Sequence, residues 1–382
     1  MTTSQPVVAV WKASWLPPSQ TFVKNQLDAL ERWHPLLLGV RRVEGLPVTP
    51  DLAPFGSHVV GRAAHRVSAA LGYRGVYDRL LRSSRARLVH AHFGTSAVQV
   101  LPVARRLGLP LVVTFHGYDV TREPERAGRA GAVYRRRLAD VFTYAHVLLV
   151  NSEFLAGRLL ALGAPEAKVR VHRIGIPVDA VPEPGPGAPT SREGVVFVGR
   201  LVEVKGVTDL LAAVGRLRAE GREVGLRVVG DGPLAPALRR QAEELGVAAE
   251  LLGRRTPAEV AAILRESAIF CAPSRTSADG QAEAFGMVFL EAALQGLPVV
   301  AYRHGGVPEA VEDGVTALLA PEGDVDALAQ NLALHLEQPE RARALGAAGR
   351  ERVRRDFDVR GCTAELESIY DEVAARGTRA RE

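Results

Sequence analysis

Short apolar runs alternate along this chain with longer segments whose apolar positions recur at helical spacing. Runs such as Val7–Val10 and Leu111–Thr114 predict buried strands, and intervening segments such as Ser96–Leu107 predict helices that cover a sheet. The rhythm stops at a Pro/Gly-dense run from Val181 to Pro189, which cannot hold a helix or a central strand, and it restarts at Val195. The pattern predicts an α/β fold with two parallel-sheet domains.

The periodicity also sets approximate bounds for the elements. In the first half the other predicted strands are Leu36–Val40, Leu88–His90, Val147–Val150 and Lys168–His172, and the other predicted helices are Phe22–Arg32 and Ala132–Tyr144. In the second half the predicted strands are Val195–Val198, Leu226–Val229, Val247–Gly253, Ile269–Pro273, Leu297–Ala301 and Thr316–Leu319. From Asp356 onward the chain is amphipathic, which predicts a long C-terminal helix.

Composition narrows the class of protein. Two cysteines in 382 residues cannot form a disulfide framework, which favours a reducing cytoplasm. The start MTTSQPVVAV lacks a charged leader, and no apolar run approaches the ~20 residues of a membrane span. The net charge is +5, and arginine clusters at Arg135–Arg137 and Arg354–Arg355 suggest peripheral contact with an anionic membrane, although solvated helix faces explain them equally well. Aromatic residues do not alternate with the basic ones, so nucleic-acid binding is not expected.

One stretch, Ser274 to Gly306, carries two acids in a strand–loop–helix–strand frame. Glu283 lies just before an apolar helix, and Glu291 follows inside that helix after seven intervening residues. A helix N-terminus offers free N–H groups and partial positive charge, which suit a phosphate. Glu291 should lie roughly 8–12 Å further on, at about 1.5 Å per residue, where a carboxylate can accept hydrogen bonds from a ribose diol. Glu283 could accept hydrogen bonds from sugar hydroxyls.

A second frame of strand, loop and helix begins at Gly199. Arg200 and Lys205 supply a guanidinium and an ammonium, both of which bind phosphates well. The turn at Gly230 and Asp231 follows the next predicted strand, leads into a Pro-led helix and by itself could be only a sharp turn.

The first half places polar residues after three predicted strands, where ligands of parallel sheets bind. Trp11 to Thr21 is predicted as the first of these loops, and its residues Ser19, Gln20 and Thr21 could cap the first helix or bind a ligand. His92 lies in the second loop, and the third, FHGYD, carries His116 and Asp119. Neither histidine has a partner at metal-ligand spacing.

The stretch EAFGMVFLEAALQGLPVVAYRHGGVPEAVEDGVTALL resembles the nucleotide-sugar-binding signature of glycosyltransferase family 4, whose members have the GT-B fold. PPSQTFV resembles the corresponding segment of exopolysaccharide-building members. The resemblance implies two Rossmann-like domains that face a cleft, residues 1–180 on the acceptor side and 181–356 on the donor side, with 357–382 packing back onto the first. It also implies transfer of a sugar from a nucleotide-diphosphate sugar, with retention of anomeric configuration.

The resemblance further implies roles for individual residues. The implied catalytic residues are His116, Arg200, Lys205 and Glu283. The implied donor-binding residues are Gly199, Arg200, Lys205, Gly230, Asp231, Glu283, Ala284, Phe285, Gly286, Met287, Val288 and Glu291. The acceptor-side candidates are Ser19, Gln20, Thr21, His92 and Asp119. The donor is a co-substrate, no permanent cofactor is expected, and no obligatory metal is expected because Asp279 lacks a second acid at D-x-D spacing.

Several alternatives stay open at this stage. A UDP- or GDP-sugar is the expected donor, and the acceptor hydroxyl could belong to a glycan, a lipid-linked sugar or a small natural product such as an antibiotic. An epimerase or hydrolase on the same fold would need extra acid–base groups, for which His92 and Asp119 are candidates. A non-catalytic nucleotide-sugar-binding protein is disfavoured by the intact set of Arg200, Lys205, Glu283 and Glu291. The oligomeric state is not predicted.

Overall fold

In the part of the chain that the structure describes, two six-stranded parallel sheets carry the fold. The structure is a computed structural model that describes residues 5–17, 20–43, 45–55, 68–69, 72–181 and 192–379. Ser19 and most of the run from Val181 to Pro189 lie outside these ranges. The chain divides into two compact units, Met1–Pro177 with Val359–Glu382, and Val178–Asp358.

The first unit begins with alternating strands and helices. Its strands are β1 (Val7–Trp15), β2 (His34–Arg42), β3 (Leu88–His92), β4 (Leu111–Phe115), β5 (Val147–Val150) and β6 (Val169–Val171). Its helices include α1 (Thr21–Asp28), α2 (Val76–Ser83), α3 (Gly94–Leu107), α4 (Tyr118–Thr121), α5 (Arg129–Tyr144) and α6 (Glu153–Ala161). Ser152 is the N-cap of α6, and its hydroxyl accepts a hydrogen bond from the Leu155 N–H at 3.2 Å.

The sheet order in this unit is β2-β1-β3-β4-β5-β6, with every pair parallel. Every residue of β3, β4 and β5 is buried, as expected of central strands covered on both faces. The chain leaves β1 in one direction to form β2 and returns on the other side as β3. Ligands of open parallel sheets bind at such a reversal, beyond the carboxyl ends of the strands.

The C-terminal helix of the chain, numbered α14 below (Val359–Arg379), packs in this first unit. Leu366, Tyr370 and Val373 belong to the core that also holds Val8, Val10 and Val112 of the sheet. The Glu367 carboxylate accepts hydrogen bonds from the backbone N–H groups of Glu31, Arg32 and Trp33 at 3.0, 2.6 and 2.9 Å. A polar anchor therefore accompanies the apolar contact.

The second unit repeats the alternation. Its strands are β7 (Glu193–Val198), β8 (Leu226–Val229), β9 (Ala249–Gly253), β10 (Ser267–Cys271), β11 (Val299–Arg303) and β12 (Ala317–Pro321). Its helices are α7 (Val207–Ala219), α8 (Ala235–Leu245), α9 (Pro257–Glu266), α10 (Met287–Leu294), α11 (Val307–Ala310), α12 (Val325–Glu337) and α13 (Pro339–Asp356) in the described ranges. The sheet order is β12-β11-β10-β7-β8-β9, so the reversal lies between β7 and β10.

Two local predictions are wrong. The segment from Trp11 was expected to be a loop, but β1 continues to Trp15 because its pairing with β2 runs through Trp15 opposite Arg42. The first helix was expected to reach Arg32 but ends at Asp28, and the N–H groups of Glu31 and Arg32 donate to Glu367 instead of to helical carbonyls. Neither contact is visible in local periodicity.

The parallel α/β fold itself is confirmed. Among the described residues, no helix is long and apolar enough to cross a lipid bilayer. Over the same ranges, no group of three His, Cys, Asp or Glu side chains is arranged to hold a metal ion. The prediction that the reaction needs no divalent metal stays a prediction.

Candidate active site

In the second unit, the backbones of the loops that follow β7 and β10 are in close contact. Gly206, just after the 3-10 turn Glu203–Lys205, has φ +64°, and a Cβ there would lie 1.8 Å from the carbonyl oxygen of Pro273. Only glycine fits this approach. The Arg275 N–H donates to the Val204 carbonyl at 3.0 Å, which ties the loop after β10 to the same turn.

This contact brings Lys205 and Glu283 together. The Lys205 ammonium forms an ion pair with Oε2 of Glu283, and the Ser274 hydroxyl donates to the same oxygen at 3.2 Å. The two charged side chains are 18% and 13% exposed. Burial by itself raises the pKa of Glu283, but the charge and hydrogen bond of Lys205, with a smaller contribution from the Ser274 hydrogen bond, bring the net pKa below its ordinary value. Glu283 is therefore a fixed carboxylate.

The helix after Glu283 begins without a side-chain cap. The N-cap of α10 is Gly286, at φ +89°, which has no side chain that could accept a capping hydrogen bond. Ala284 and Phe285 are buried, whereas Met287 and Val288 are half-buried. The first turn of α10 thus presents N–H donors and the positive end of the helix dipole beside the ion pair.

Glu291 lies on α10 and is half-buried. Its carboxylate has no ion pair or hydrogen bond within the described ranges. Burial raises the pKa of Glu291 to about 7. A half-buried carboxylate without a partner is a group that can accept hydrogen bonds from a ligand.

The remaining donor-side candidates lie around the end of β7. The Gly199 N–H donates to the Val229 carbonyl at 2.9 Å, and the Gly230 N–H donates to the Gly253 carbonyl at 2.9 Å, which places their turns side by side. Arg200 is exposed, and its guanidinium has no partner among the residues described here. Asp231 accepts a hydrogen bond from the Gly232 N–H at 2.8 Å and lies 3.5 Å from Arg254, so its carboxylate shapes the turn.

In the first unit, a cluster of polar side chains lies near the ends of β1, β3 and β4. His92 Nδ1 and His116 Nε2 are 3.1 Å apart, and the two rings stack with centroids 5.3 Å apart. The rings of Phe22 and Phe93 pack against the His116 ring, with centroid-to-centroid distances of 4.9 and 4.4 Å. Burial, and then the positive charge of Lys12, hold the pKa of His116 well below its usual value, so the ring is neutral. His116 Nδ1 is buried and has no hydrogen-bond partner among the described residues.

Lys12 on β1 joins this group, although local sequence patterns did not predict it. The residue is 5% exposed, and its ammonium lies 4.2 Å from the centroid of the Phe93 ring. It makes no ion pair in the described part of the chain. Burial lowers the pKa of Lys12 to about 7, while the charge of Asp119 acts in the opposite direction. A lysine inside the apolar run VVAVWKASW was the sequence signal that could have identified it.

Asp119 has a structural task in this group. It is fully buried, and its carboxylate accepts hydrogen bonds from the N–H groups of Gly94 at 2.7 Å, His116 at 3.2 Å and Gly117 at 2.9 Å. Burial raises the pKa of Asp119 to about 6, against these hydrogen bonds. Because its oxygens are occupied by the backbone, Asp119 holds the loop that carries His116, and it is a poor acid–base group for an epimerase or hydrolase.

The predicted capping segment of α1 is corrected by the structure. Gln20 is the N-cap, but its side chain makes no capping hydrogen bond, and its buried Oε1 has no partner among the described residues. Thr21 was expected before the helix and is instead its first residue. Ser19 lies outside the described residues. Ser274 and His304, both next to Glu283, were also missed, because nothing in their local sequence marks a contact with an acid nine or twenty-one positions away.

Two protein-family models match the two halves of this chain, and several known proteins are similar to it in sequence. The profile described as "Glycosyl transferases group 1" matches residues 184–352, and that described as "Glycosyltransferase Family 4" matches residues 20–180. WcaL of Escherichia coli K12, a candidate colanic acid biosynthesis glycosyltransferase, is 32% identical over 292 residues, which are 75% of this chain and 70% of WcaL. A GDP-mannose-dependent alpha-(1-6)-phosphatidylinositol monomannoside mannosyltransferase of Mycolicibacterium smegmatis is 32% identical over 358 residues, 87% of this chain and 90% of that protein.

Solved structures agree with the predicted fold. Anabaena HepE, crystallised in complex with UDP, matches 96% of this chain and 100% of HepE with a TM-score of 0.75 and 19% sequence identity. At that identity the likeness shows the fold, and it confirms the predicted GT-B architecture.

Proposed function

The chain belongs to glycosyltransferase family 4, whose enzymes transfer a sugar from a nucleotide sugar, and we propose that it is a retaining enzyme that uses a UDP- or GDP-sugar. The observation that carries the proposal is the ion pair of Lys205 and Glu283 beside the uncapped start of α10. This part of the second unit would supply N–H donors for a diphosphate and the Glu283 carboxylate for sugar hydroxyls. Glu291, further along α10, would supply a carboxylate for the ribose.

The chemistry follows from the movement of charge. Breakage of the bond between C1 and the phosphate oxygen loads negative charge onto the nucleoside diphosphate and positive charge onto the sugar ring. Arg200, Lys205 and the N–H groups from Phe285 to Met287 would stabilise the diphosphate, because fixed donors are most effective where charge develops. Glu283 would orient the ring through its hydroxyls, and the neutral His116 would lie against the donor sugar.

The acceptor would attack from the face that the diphosphate leaves. Its oxygen forms the new bond to C1, and its proton passes to an oxygen of the departing phosphate. The product keeps the anomeric configuration of the donor, and the nucleoside diphosphate is released with the proton.

The relatives guide the choice of substrates. One relative is named for GDP-mannose and a phosphatidylinositol mannoside, another for colanic acid, and a structural neighbour binds UDP. We therefore propose a glycan or lipid-linked acceptor at the cytoplasmic face of an anionic membrane. Of the arginines suggested for membrane contact, Arg354 donates to the Val181 carbonyl at 2.7 Å and Arg355 pairs with Asp356 at 2.8 Å, so the exposed Arg136 and Arg137 of α5 are the better candidates.

A thermal-shift panel of UDP, GDP, ADP and their common sugar conjugates tests the donor site. A ligand at 100 times its Kd stabilises the native state by about 2.7 kcal/mol, so one nucleotide should raise the melting temperature clearly above the others. Calorimetry with Lys205→Ala and Glu291→Ala should then show severe loss of affinity, with Lys24→Ala and Glu365→Ala, both on helix surfaces of the first unit, as controls. Near-wild-type affinity in both site variants would refute the assignment. The one-bond coupling constant between C1 and H1 of the transferred sugar reports retention, because it differs between the two anomers of glucose and of mannose.

A further inference from the structure

His304 lies directly behind Glu283 and is almost fully buried, with 5% of the residue exposed. The backbone N–H of Glu283 donates to Nε2 of His304 at 3.2 Å. On the other side of the ring, Nδ1 lies 2.9 Å from Oε2 of Glu322. Both ring nitrogens are therefore used inside the protein.

These partners assign the tautomer of His304. Nε2 must carry a lone pair because it faces an N–H donor, so the proton lies on Nδ1 and is donated to Glu322. The other oxygen of Glu322 accepts from the Thr276 N–H at 2.6 Å. Hydrogen bonds to Thr276 and His304 help to hold the pKa of Glu322 below its ordinary value, against the opposing effect of burial. Glu322 thus links the loop after β10 to the ring that holds Glu283.

The two residues that follow His304 contact the carbonyl oxygen of Glu283. The Gly306 N–H donates to it at 3.0 Å, and Gly305, at φ +53°, passes so close that a Cβ would lie 2.2 Å from the oxygen. The segment from His304 to Gly306 therefore forms hydrogen bonds with both the backbone N–H and the backbone carbonyl of Glu283. Only the carboxylate is left to face Lys205 and Ser274.

We propose that His304 and Glu322 are positioning residues that set the place of the Glu283 carboxylate and thereby the enzyme's grip on the sugar of its donor. His304 cannot contact the donor through its nitrogens, because both are occupied, so it acts through Glu283. The inference rests on the proposed function, since it assumes that Glu283 holds the hydroxyls of a nucleotide sugar.

Substitutions at His304 separate this role from general support of the fold. His304→Phe removes the acceptor for the Glu283 N–H, whereas His304→Gln can place an amide oxygen near the position of Nε2. We expect His304→Phe to lower kcat by about 10- to 100-fold, as a misplaced reacting group does, while the affinity for the free nucleotide stays within about twofold. His304→Gln should recover most of the loss, and Glu322→Gln should fall between the two. His335→Phe, at another buried histidine of the same unit, is the matched control.

Binding measurements use UDP-glucose with UDP, and GDP-mannose with GDP, on the full chain. Wild type should bind the sugar nucleotide more tightly than the free nucleotide, and His304→Phe should lose that difference. In a double-mutant cycle, His304→Phe should have little further effect in a Glu283→Gln background, because both act on one group.

The outcomes distinguish failure of the proposed function from failure of the positioning role. If wild type binds neither sugar nucleotide nor free nucleotide, the proposed function fails. If wild type binds and turns over a donor but His304→Phe keeps its kcat, weakens the free nucleotide equally, or adds independently to Glu283→Gln, then only the positioning role is overturned.

Discussion

The ammonium of Lys205 and the carboxylate of Glu283, seventy-eight positions apart in the chain, form an ion pair where β7 and β10 lie side by side. Each charge compensates the other within a largely buried loop pair. A diphosphate that arrives at the start of α10 would share the Lys205 ammonium, which has three N–H donors and can serve two acceptors at once.

This pairing predicts coupled effects on stability. Lys205→Met and Glu283→Gln should each lower the free energy of unfolding by about 1–3 kcal/mol, because each leaves a poorly solvated charge without its partner. The double variant should lose less than the sum of the two, although all three variants lose transferase activity. Urea denaturation measures the coupling, and strictly additive losses would contradict a shared ion pair.

Glu291 predicts a pH dependence of donor binding. Burial raises its pKa to about 7 in the free protein, and ribose hydroxyls donate best to the carboxylate form. Protonation must therefore weaken binding as the pH falls, by about tenfold at one unit below the pKa. Calorimetry with UDP-glucose or GDP-mannose, whose diphosphates do not titrate in this range, should show the fall from pH 8 to pH 6. In Glu291→Gln the affinity should be lower at pH 8 and nearly independent of pH, and an unchanged slope would count against Glu291.

Lys12 predicts a pH dependence of stability. Its pKa is lowered to about 7 in the folded protein but returns to about 10.4 on unfolding, so between these values the unfolded state binds more protons. Stability should therefore rise with pH, by about 2 kcal/mol between pH 7 and pH 9 from this group alone.

The comparison variant is Lys12→Met, which keeps the length of the side chain and removes the charge. It should be more stable than wild type at pH 7 and should lack that part of the rise. Lys24→Met, at a half-exposed lysine of α1, serves as the control. Parallel stability–pH curves for wild type and Lys12→Met would show that Lys12 is not buried as a titrating group.

Glu367 predicts a large effect far from the candidate site. Its side chain is 3% exposed and accepts three backbone hydrogen bonds from the segment after α1, besides contacting Arg32. Glu367→Ala should cost about 2–4 kcal/mol, since it leaves these donors without an acceptor. Thermal unfolding should show a clear drop in melting temperature, and the exposed Glu365→Ala should change it little. Equal melting temperatures for the two variants would remove Glu367 as an anchor of α14.

Local patterns were sufficient for much of this protein. The alternation of apolar runs and helical segments determined the α/β class, and strands such as Val147–Val150 and Leu226–Val229 have the predicted bounds. The sequence also placed Lys205 after the end of a strand, Glu283 just before a helix and Glu291 inside that helix. These features depend on residues within a few positions of one another, so they can be inferred from the chain alone.

Only the tertiary structure decided which of these groups meet. Lys205 reaches Glu283 because the sheet order makes β7 and β10 neighbours, and His304 reaches the Glu283 backbone because β11 lies next to β10. The same applies to Lys12 beside Phe93 and to Glu367 on the segment after α1, which ends that helix earlier than its periodicity suggests. The physical reason is that strand order and register bring together residues tens to hundreds of positions apart, and no local periodicity encodes which strands become neighbours.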